Sequence, residues 1–212
     1  MNWIAVSKWV MWNAMLALIP VGVGYGFRAI VNSRAATALR YSLSVVAGAV
    51  WFVFLPNTCY LLTEWRHFLM HLDAKNLFLR SRTDHVYLIE LVLFSLFYFL
   101  YSSFGMITFA MAIRPVKRVA SQRGLPLSFW AFPFFALISL GVYLGLILRF
   151  NSWDLLTKPG MIWQAIVEVG DRPVLMAFIG GFGIFLWIAY EALDIWIDGI
   201  KMRLDKNNRR DS

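Results

Sequence analysis

The chain has 212 residues and a formal net charge of +8, yet 60% of it is apolar and only 15% charged, against about 25% charged in a soluble domain. Its mean hydropathy is +0.63, and it carries ten Trp and eighteen Phe. No water-soluble fold of this length has interior enough for that surface. A soluble enzyme and a disordered chain are therefore excluded. So is a disulfide scaffold, since Cys59 is the only cysteine. An all-α, polytopic transmembrane helix bundle remains. The basic residues fall in short loops between apolar runs, which is the mark of membrane topology. The expected partner is thus the lipid bilayer, with no nucleic acid.

A hydrocarbon core of about 30 Å needs roughly 20 apolar residues in a helix. Five segments meet that length, at about residues 9–27, 41–62, 86–113, 129–148 and 173–196. They read as helices because lipid offers the backbone no hydrogen-bond partner. The first is a retained span and not a cleaved leader, since Lys8 alone precedes it while Arg28, Arg34 and Arg40 follow. Residues 155–169 are apolar but hold Lys158, Pro159 and Gly160. They are expected to form an interfacial helix between spans four and five. Residues 1–200 form a single transmembrane domain, and the polar tail Lys201–Ser212 is expected to fray.

Orientation follows from the cations. One side collects twelve Lys and Arg, including Arg28, Arg114 and the tail, and its two interhelix loops contain no acid; the other side collects eight. The richer side is assigned to the cytoplasm, which puts the N-terminus out and the C-terminus in.

Polar chemistry gathers where span two ends. Continued as one helix at 100° per residue, Asn57, Tyr60, Glu64, His67 and His71 share an arc of about 80°. Pro56 lacks an N–H and is expected to kink the helix there. Span four ends in Arg149-Phe150-Asn151-Ser152-Trp153-Asp154. In an alternating topology both ends emerge on the same, outer face. Glu64, His67 and His71 have metal-ligand spacing for a divalent ion, with Asp154, His85 or Glu90 available to complete it. Three readings compete: a helix turning its polar side to water, a metal site, and a metal-free site for a lipid head group or small solute. Arg149 and Asp154 have plain readings too, as a snorkelling cation and a helix cap. Asn57 and Tyr60 can equally serve to tie down a backbone disturbed by proline.

At the other end, Glu191, Asp194 and Asp198 recur at i, i+3 and i+7 and are expected to form structural ion pairs with nearby arginines. Gly22-x-x-x-Gly26, Gly141-x-x-x-Gly145 and Ala177-x-x-x-Gly181 are expected to mediate close helix packing.

Two of these stretches resemble the signatures of a known family. Leu55-Pro56-Asn57-x-x-Tyr60-x-x-Thr63-Glu64 and Arg149-Phe150-Asn151-Ser152-Trp153-Asp154 are similar to those of an uncharacterised bacterial membrane family, the domain of unknown function 1361. The likeness covers roughly the second span to the fifth. The family pattern has Asp where this chain has Glu64 and Arg where it has Leu146. The first change keeps a carboxylate; the second removes a cation. The resemblance implies a multi-pass protein of the bacterial cytoplasmic membrane and supplies no activity.

Three functions stay open. One is a membrane enzyme using Glu64, His67 and Asp154, with a metal on Glu64, His67 and His71, and with Asn57, Tyr60, Arg149, Asn151, Ser152 and Trp153 binding an anionic ligand. The second is a non-catalytic assembly or partner subunit. The third is a small-solute transporter, which a dry midplane and the lack of a repeat disfavour.

Overall fold

The computed structural model describes residues 3–209, without the side chains of residues 3–6 and 127–129. Met1, Asn2, Arg210, Asp211 and Ser212 lie outside the described residues, so the two ends of the expected domain and tail are not covered. Every regular element among the described residues is a helix. In chain order these are α1 (Trp3–Val31), α2 (Thr37–Phe54), α3 (Pro56–Thr63), α4 (Trp65–Ala74), α5 (Leu77–Arg80), α6 (His85–Gln122), α7 (Leu127–Leu146), α8 (Asp154–Thr157), α9 (Pro159–Gly170) and α10 (Pro173–Asn208).

Among the described residues four stretches are long and apolar enough to cross a membrane: Ser7–Val31, Thr37–Ala74 (α2 to α4), His85–Gln122 and Pro173–Asn208. The apolar part of α7, Trp130–Leu146, is shorter. With 20 residues in all, α7 extends about 30 Å, which matches the hydrocarbon thickness with nothing to spare. It stops at Leu146, two residues before the expected end. At 12 residues, α9 is too short to span, and Pro159 opens it at the position where a missing N–H is tolerated. The tail departs from expectation: α10 stays helical through Asn208 instead of fraying.

The helix ends follow local chemistry. Asp84 caps α6, its carboxylate accepting the Val86 N–H at 2.8 Å. At the other end of α6, Gly124 takes φ +76°. Leu125 N–H then reaches Ala120 C=O and Gly124 N–H reaches Ser121 C=O, the paired bonds that close a helix through a left-handed residue.

The bundle is inside-out relative to a soluble protein. Only 22% of the most apolar window is buried in the first and last spans. Val86, Leu93, Phe99, Ile188 and Ile195 all point outward. Only a lipid solvent makes such a surface stable. The interior is a compact seam of α2, α3, α6, α7 and α10, built on Trp51, Leu55, Cys59, Phe109, Phe135, Ile138, Leu186 and Tyr190.

Small residues permit the closest crossings. A Cβ on Gly105 would lie 2.7 Å from the Thr58 carbonyl oxygen of α3. Gly24 lies so close to α6 that its Cβ would meet the Ala112 carbonyl oxygen at 2.8 Å, and the same oxygen accepts the Trp51 indole N–H at 2.9 Å. The expected glycine pairs fare unequally. Gly141 and Gly145 do receive a neighbour, α3. Gly22, Gly26 and Gly181 face open space. In α1 the packing glycine is Gly24, on a different face, so the first and third expected contacts are corrected.

Candidate functional site

Span two is interrupted twice. It breaks first at Leu55–Pro56, as the missing proline N–H requires. The second break is at Glu64, where ψ rises to −7°. There His67 N–H bonds Glu64 C=O, an i→i+3 closure tighter than the α-helix on either side. Hydrogen bonds to α6 hold this junction. The Trp65 indole N–H donates to Ser102 Oγ at 2.8 Å, and Ser102 Oγ donates to Leu61 C=O at 3.2 Å. Glu64 thereby sits at a fixed corner between α3 and α4.

The loop after α7 meets α3 at the first break. Ser152 Oγ donates to the Val53 C=O in the last turn of α2 at 3.3 Å. Asn57 Nδ2 in turn donates to Ser152 Oγ at 3.1 Å. Tyr60 seals the contact: its hydroxyl donates to Gly141 C=O at 3.4 Å and fills the space that a Cβ on Gly145 would occupy. The two sequence stretches are thus joined by direct hydrogen bonds.

Between them lies a cavity of about 380 Å³, within the range of small-molecule sites, about 300–1,000 Å³. Its wall includes Asn57, Tyr60, Glu64, His67, Arg149, Asn151, Ser152 and Trp153, which are eight of the ten residues singled out from the sequence. Glu64 Oε2 and His67 Nε2 are 3.4 Å apart, the carboxylate largely shielded and the imidazole half-exposed. Arg149 also stands out in its backbone. It takes φ +57°, one of only two non-glycine residues in the left-handed region among the described residues, the other being Asn76. Asparagine tolerates that conformation; for arginine it costs about 1–2 kcal/mol.

The remaining two residues lie elsewhere. His71 stacks on Phe94 with ring centroids 4.4 Å apart, and its Nε2 is 3.8 Å from Glu90. Glu90 is committed to Lys75 at 2.6 Å. The break at Glu64 changes the helical phase, so His71 leaves the face that a continuous helix would give it. The expected triad of Glu64, His67 and His71 is therefore not assembled. Among the described residues no three His, Cys, Asp or Glu side chains form a metal-binding group, with or without His85, Glu90 or Asp154.

Asp154 is buried outside the cavity wall. Its carboxylate accepts the Asn151 backbone N–H at 2.7 Å, Asn151 Nδ2 at 3.3 Å and Thr157 Oγ1 at 3.3 Å, with Lys158 Nζ 3.4 Å away. The Asn151 backbone bond is the main reason its carboxyl titrates below the usual aspartate range. Asp154 ties up the loop that presents Arg149, Asn151 and Ser152 and does not itself line the cavity.

The sequence reading missed the contribution of α1. Trp9, Trp12, Asn13 and Leu16 form one side of the cavity, and Arg66 joins from α4. The Trp9 and His67 rings meet edge-on at 5.5 Å. A signal was present: Trp9, Trp12, Asn13 and Leu16 recur at i, i+3, i+4 and i+7 in the first span, one helix face.

Fold and cavity define a class: an all-α bundle of membrane-length apolar helices with a polar pocket at one end. The chain belongs to the family described as protein of unknown function DUF1361, which matches residues 12–189. The match begins in α1, one span earlier than the expected likeness, and so takes in Trp12 and Asn13. No curated protein and no solved structure matches the chain.

Proposed function

We propose that this integral membrane protein binds an anionic, phosphate-bearing head group in the cavity at the ends of α3 and α7. The observation that carries the reading is the charge arrangement. Arg66 and Arg149 line the cavity, and among the described residues neither makes an ion pair. Glu64 is the one carboxylate in the wall, and it faces His67. Two arginines against one carboxylate favour an anion, and guanidinium groups suit phosphate oxygens. Asn57, Asn151 and Ser152 supply neutral hydrogen bonds. Trp9, Trp12 and Trp153 are amphipathic rings of the kind found at membrane interfaces.

In this reading the chain is a multi-pass protein of the bacterial cytoplasmic membrane. Its five spans include α7, the N-terminus is outside, and the cavity opens at the outer face. The cation count supports that orientation.

A second reading, an enzyme, rests on the Glu64–His67 pair. A carboxylate 3.4 Å from an imidazole is a general acid–base arrangement, and here it shares a cavity with cations able to hold a phosphate ester. A metal-assisted version lacks ligands: Glu64 and His67 give two, where catalytic zinc sites use three.

The test is titration of glycerol 3-phosphate into the full chain in phosphatidylcholine nanodiscs. Saturable binding is expected, with Arg149→Ala and Arg66→Ala each weakening it about tenfold, the worth of one charge-assisted hydrogen bond. No saturable binding, or equal binding by the double variant, sinks the head-group reading. Hydrolysis of a phosphate ester that is lost in Glu64→Gln while glycerol 3-phosphate still binds would establish the enzyme.

A further inference from the structure

A second hollow adjoins the first. It is a groove of about 200 Å³ between α3 and α7, roofed by α8 and α9, and its lining is almost wholly apolar. Pro56, Leu140, Leu144, Ile162 and Ile166 are its main side chains. Ile162 and Ile166 are one turn apart on α9, so the short helix turns an apolar edge into the groove. The polar cavity and the groove share Tyr60, Gly145, Phe150, Asn151 and Ser152 as a common rim.

The sequence of surroundings is therefore ordered. Arg66, Arg149, Glu64 and His67 line the cavity and not the groove. Neutral hydrogen-bonding groups (the Tyr60 hydroxyl, Asn151 and Ser152) occupy the rim. Aliphatic side chains follow in the groove. A phospholipid has the same order: charged phosphate, ester-bearing glycerol, hydrocarbon. A free phosphate or a small polar metabolite would use the first hollow and leave the second without a purpose.

We infer that the ligand is a phosphate-headed lipid taken from the bilayer, its head in the polar cavity and one hydrocarbon chain in the α3–α7 groove beneath α9. This rests on the head-group reading and names its ligand class. Tyr60 is the residue at the crossing. Its ring packs into the gap left by Gly145 and its hydroxyl sits where the ester region would lie. On this inference α9 covers the chain, and Ile162 and Ile166 measure its fit.

The experiment uses phosphatidic acid carrying a photoreactive diazirine in its acyl chain, in phosphatidylcholine vesicles containing the full chain. After illumination, labelling should concentrate on Leu140–Leu144 and Ile162–Ile166, about tenfold above the lipid-facing Ile188 and Ile195 of α10. A phosphatidylcholine probe with the same diazirine should show no such concentration. Leu144→Trp or Ile166→Trp fills the groove; each should remove the concentration while glycerol 3-phosphate still binds. That retained binding also shows the variant is folded.

Groove labelling no higher than that of α10, or unaltered by both tryptophans, overturns the chain site and leaves the head-group reading standing if glycerol 3-phosphate binds. Groove labelling that persists in Arg66→Ala/Arg149→Ala overturns the link between the hollows. Loss of glycerol 3-phosphate binding in the wild type removes both readings.

Discussion

The two ends of the bundle hold their charges in opposite ways. Toward the far end of α6, Arg114 is only 6% exposed and is matched on α10: its guanidinium meets Asp194 Oδ1 at 3.1 Å and also pairs with Asp198. Lys117 meets Asp194 at 2.9 Å and Glu191 at 3.5 Å, and lies 5.0 Å above the Tyr190 ring. Two cations are met by three carboxylates, and the result is a closed ladder that bolts α6 to α10. At the cavity end, Arg66 and Arg149 have no carboxylate within ion-pair distance among the described residues, and Arg149 is held in a costly backbone conformation besides. Paired charge fastens helices together. Unpaired charge in a preformed hollow is left for a ligand, and the structure around it is what keeps the hollow open.

The largest effect should come from the closed end. Arg114→Ala leaves Asp194 with Lys117 alone and the half-exposed Asp198 without its partner. Removing one member of a fully buried pair costs roughly 3–5 kcal/mol, and the cost here is smaller because water reaches Asp198 and Lys117 still meets Asp194. The thermal midpoint of the detergent-solubilised protein should fall by several degrees, with glycerol 3-phosphate binding unchanged at temperatures where the variant is folded. A midpoint within error of the wild type would show that the ladder is decorative.

Gly145→Ala comes next and joins stability to site. Its Cβ would overlap the Tyr60 hydroxyl, so Tyr60 must leave the gap and lose its bond to Gly141. Overpacking of this kind costs about 1–3 kcal/mol. Both hollows share Tyr60, so head-group binding and groove labelling should weaken together. Gly22→Ala meets open space and serves as the control. Equal behaviour of the two variants would mean that Tyr60 does not form the rim.

Arg149→Gly separates the two ends most sharply, because its two effects have opposite signs. Glycine adopts φ +57° freely, so the variant should gain about 1 kcal/mol. It also loses a cavity cation, so glycerol 3-phosphate should bind about tenfold more weakly. A more stable protein that binds less is the signature of a strained residue retained for a ligand. If Arg149→Gly is less stable than the wild type, Arg149 is structural and the contrast between the ends fails.

What could be read in advance divides along the same physical line. The apolar segments that become the membrane-length helices are visible because hydropathy is additive along the chain, and Pro56 announces the first break by its missing donor. The second break carries no such mark. Glu64 is an ordinary helix former, and its ψ of −7° accompanies a tertiary contact, the bond from Trp65 to Ser102 on α6. Continuing the helix through it put His71 on the wrong face. Arg149 in a left-handed conformation was equally hidden, since arginine has no preference for it. The part played by Trp9 and Asn13 depended on α1 packing beside α3, although their spacing showed that they share a face. Asp154 reads from the sequence as a helix cap or a catalytic group, and only the structure shows its lone pairs spent on Asn151 and Thr157.

That saturation gives the smallest prediction, one that depends on pH. The Asp154 carboxyl is held below the ordinary aspartate value, about 3.9, first by the Asn151 backbone N–H. A carboxyl depressed in the folded state stabilises fully above its unfolded pKa, and that contribution is lost as pH falls through the lower, folded value. The difference in thermal midpoint between wild type and Asp154→Asn should therefore stay constant from about pH 8 to pH 5 and close only below about pH 4. A difference that already narrows between about pH 7 and pH 6 would point to the Glu64–His67 pair in the cavity wall and not to Asp154. The pH sensitivity would then belong to the site itself, and the loop behind it would be only its support.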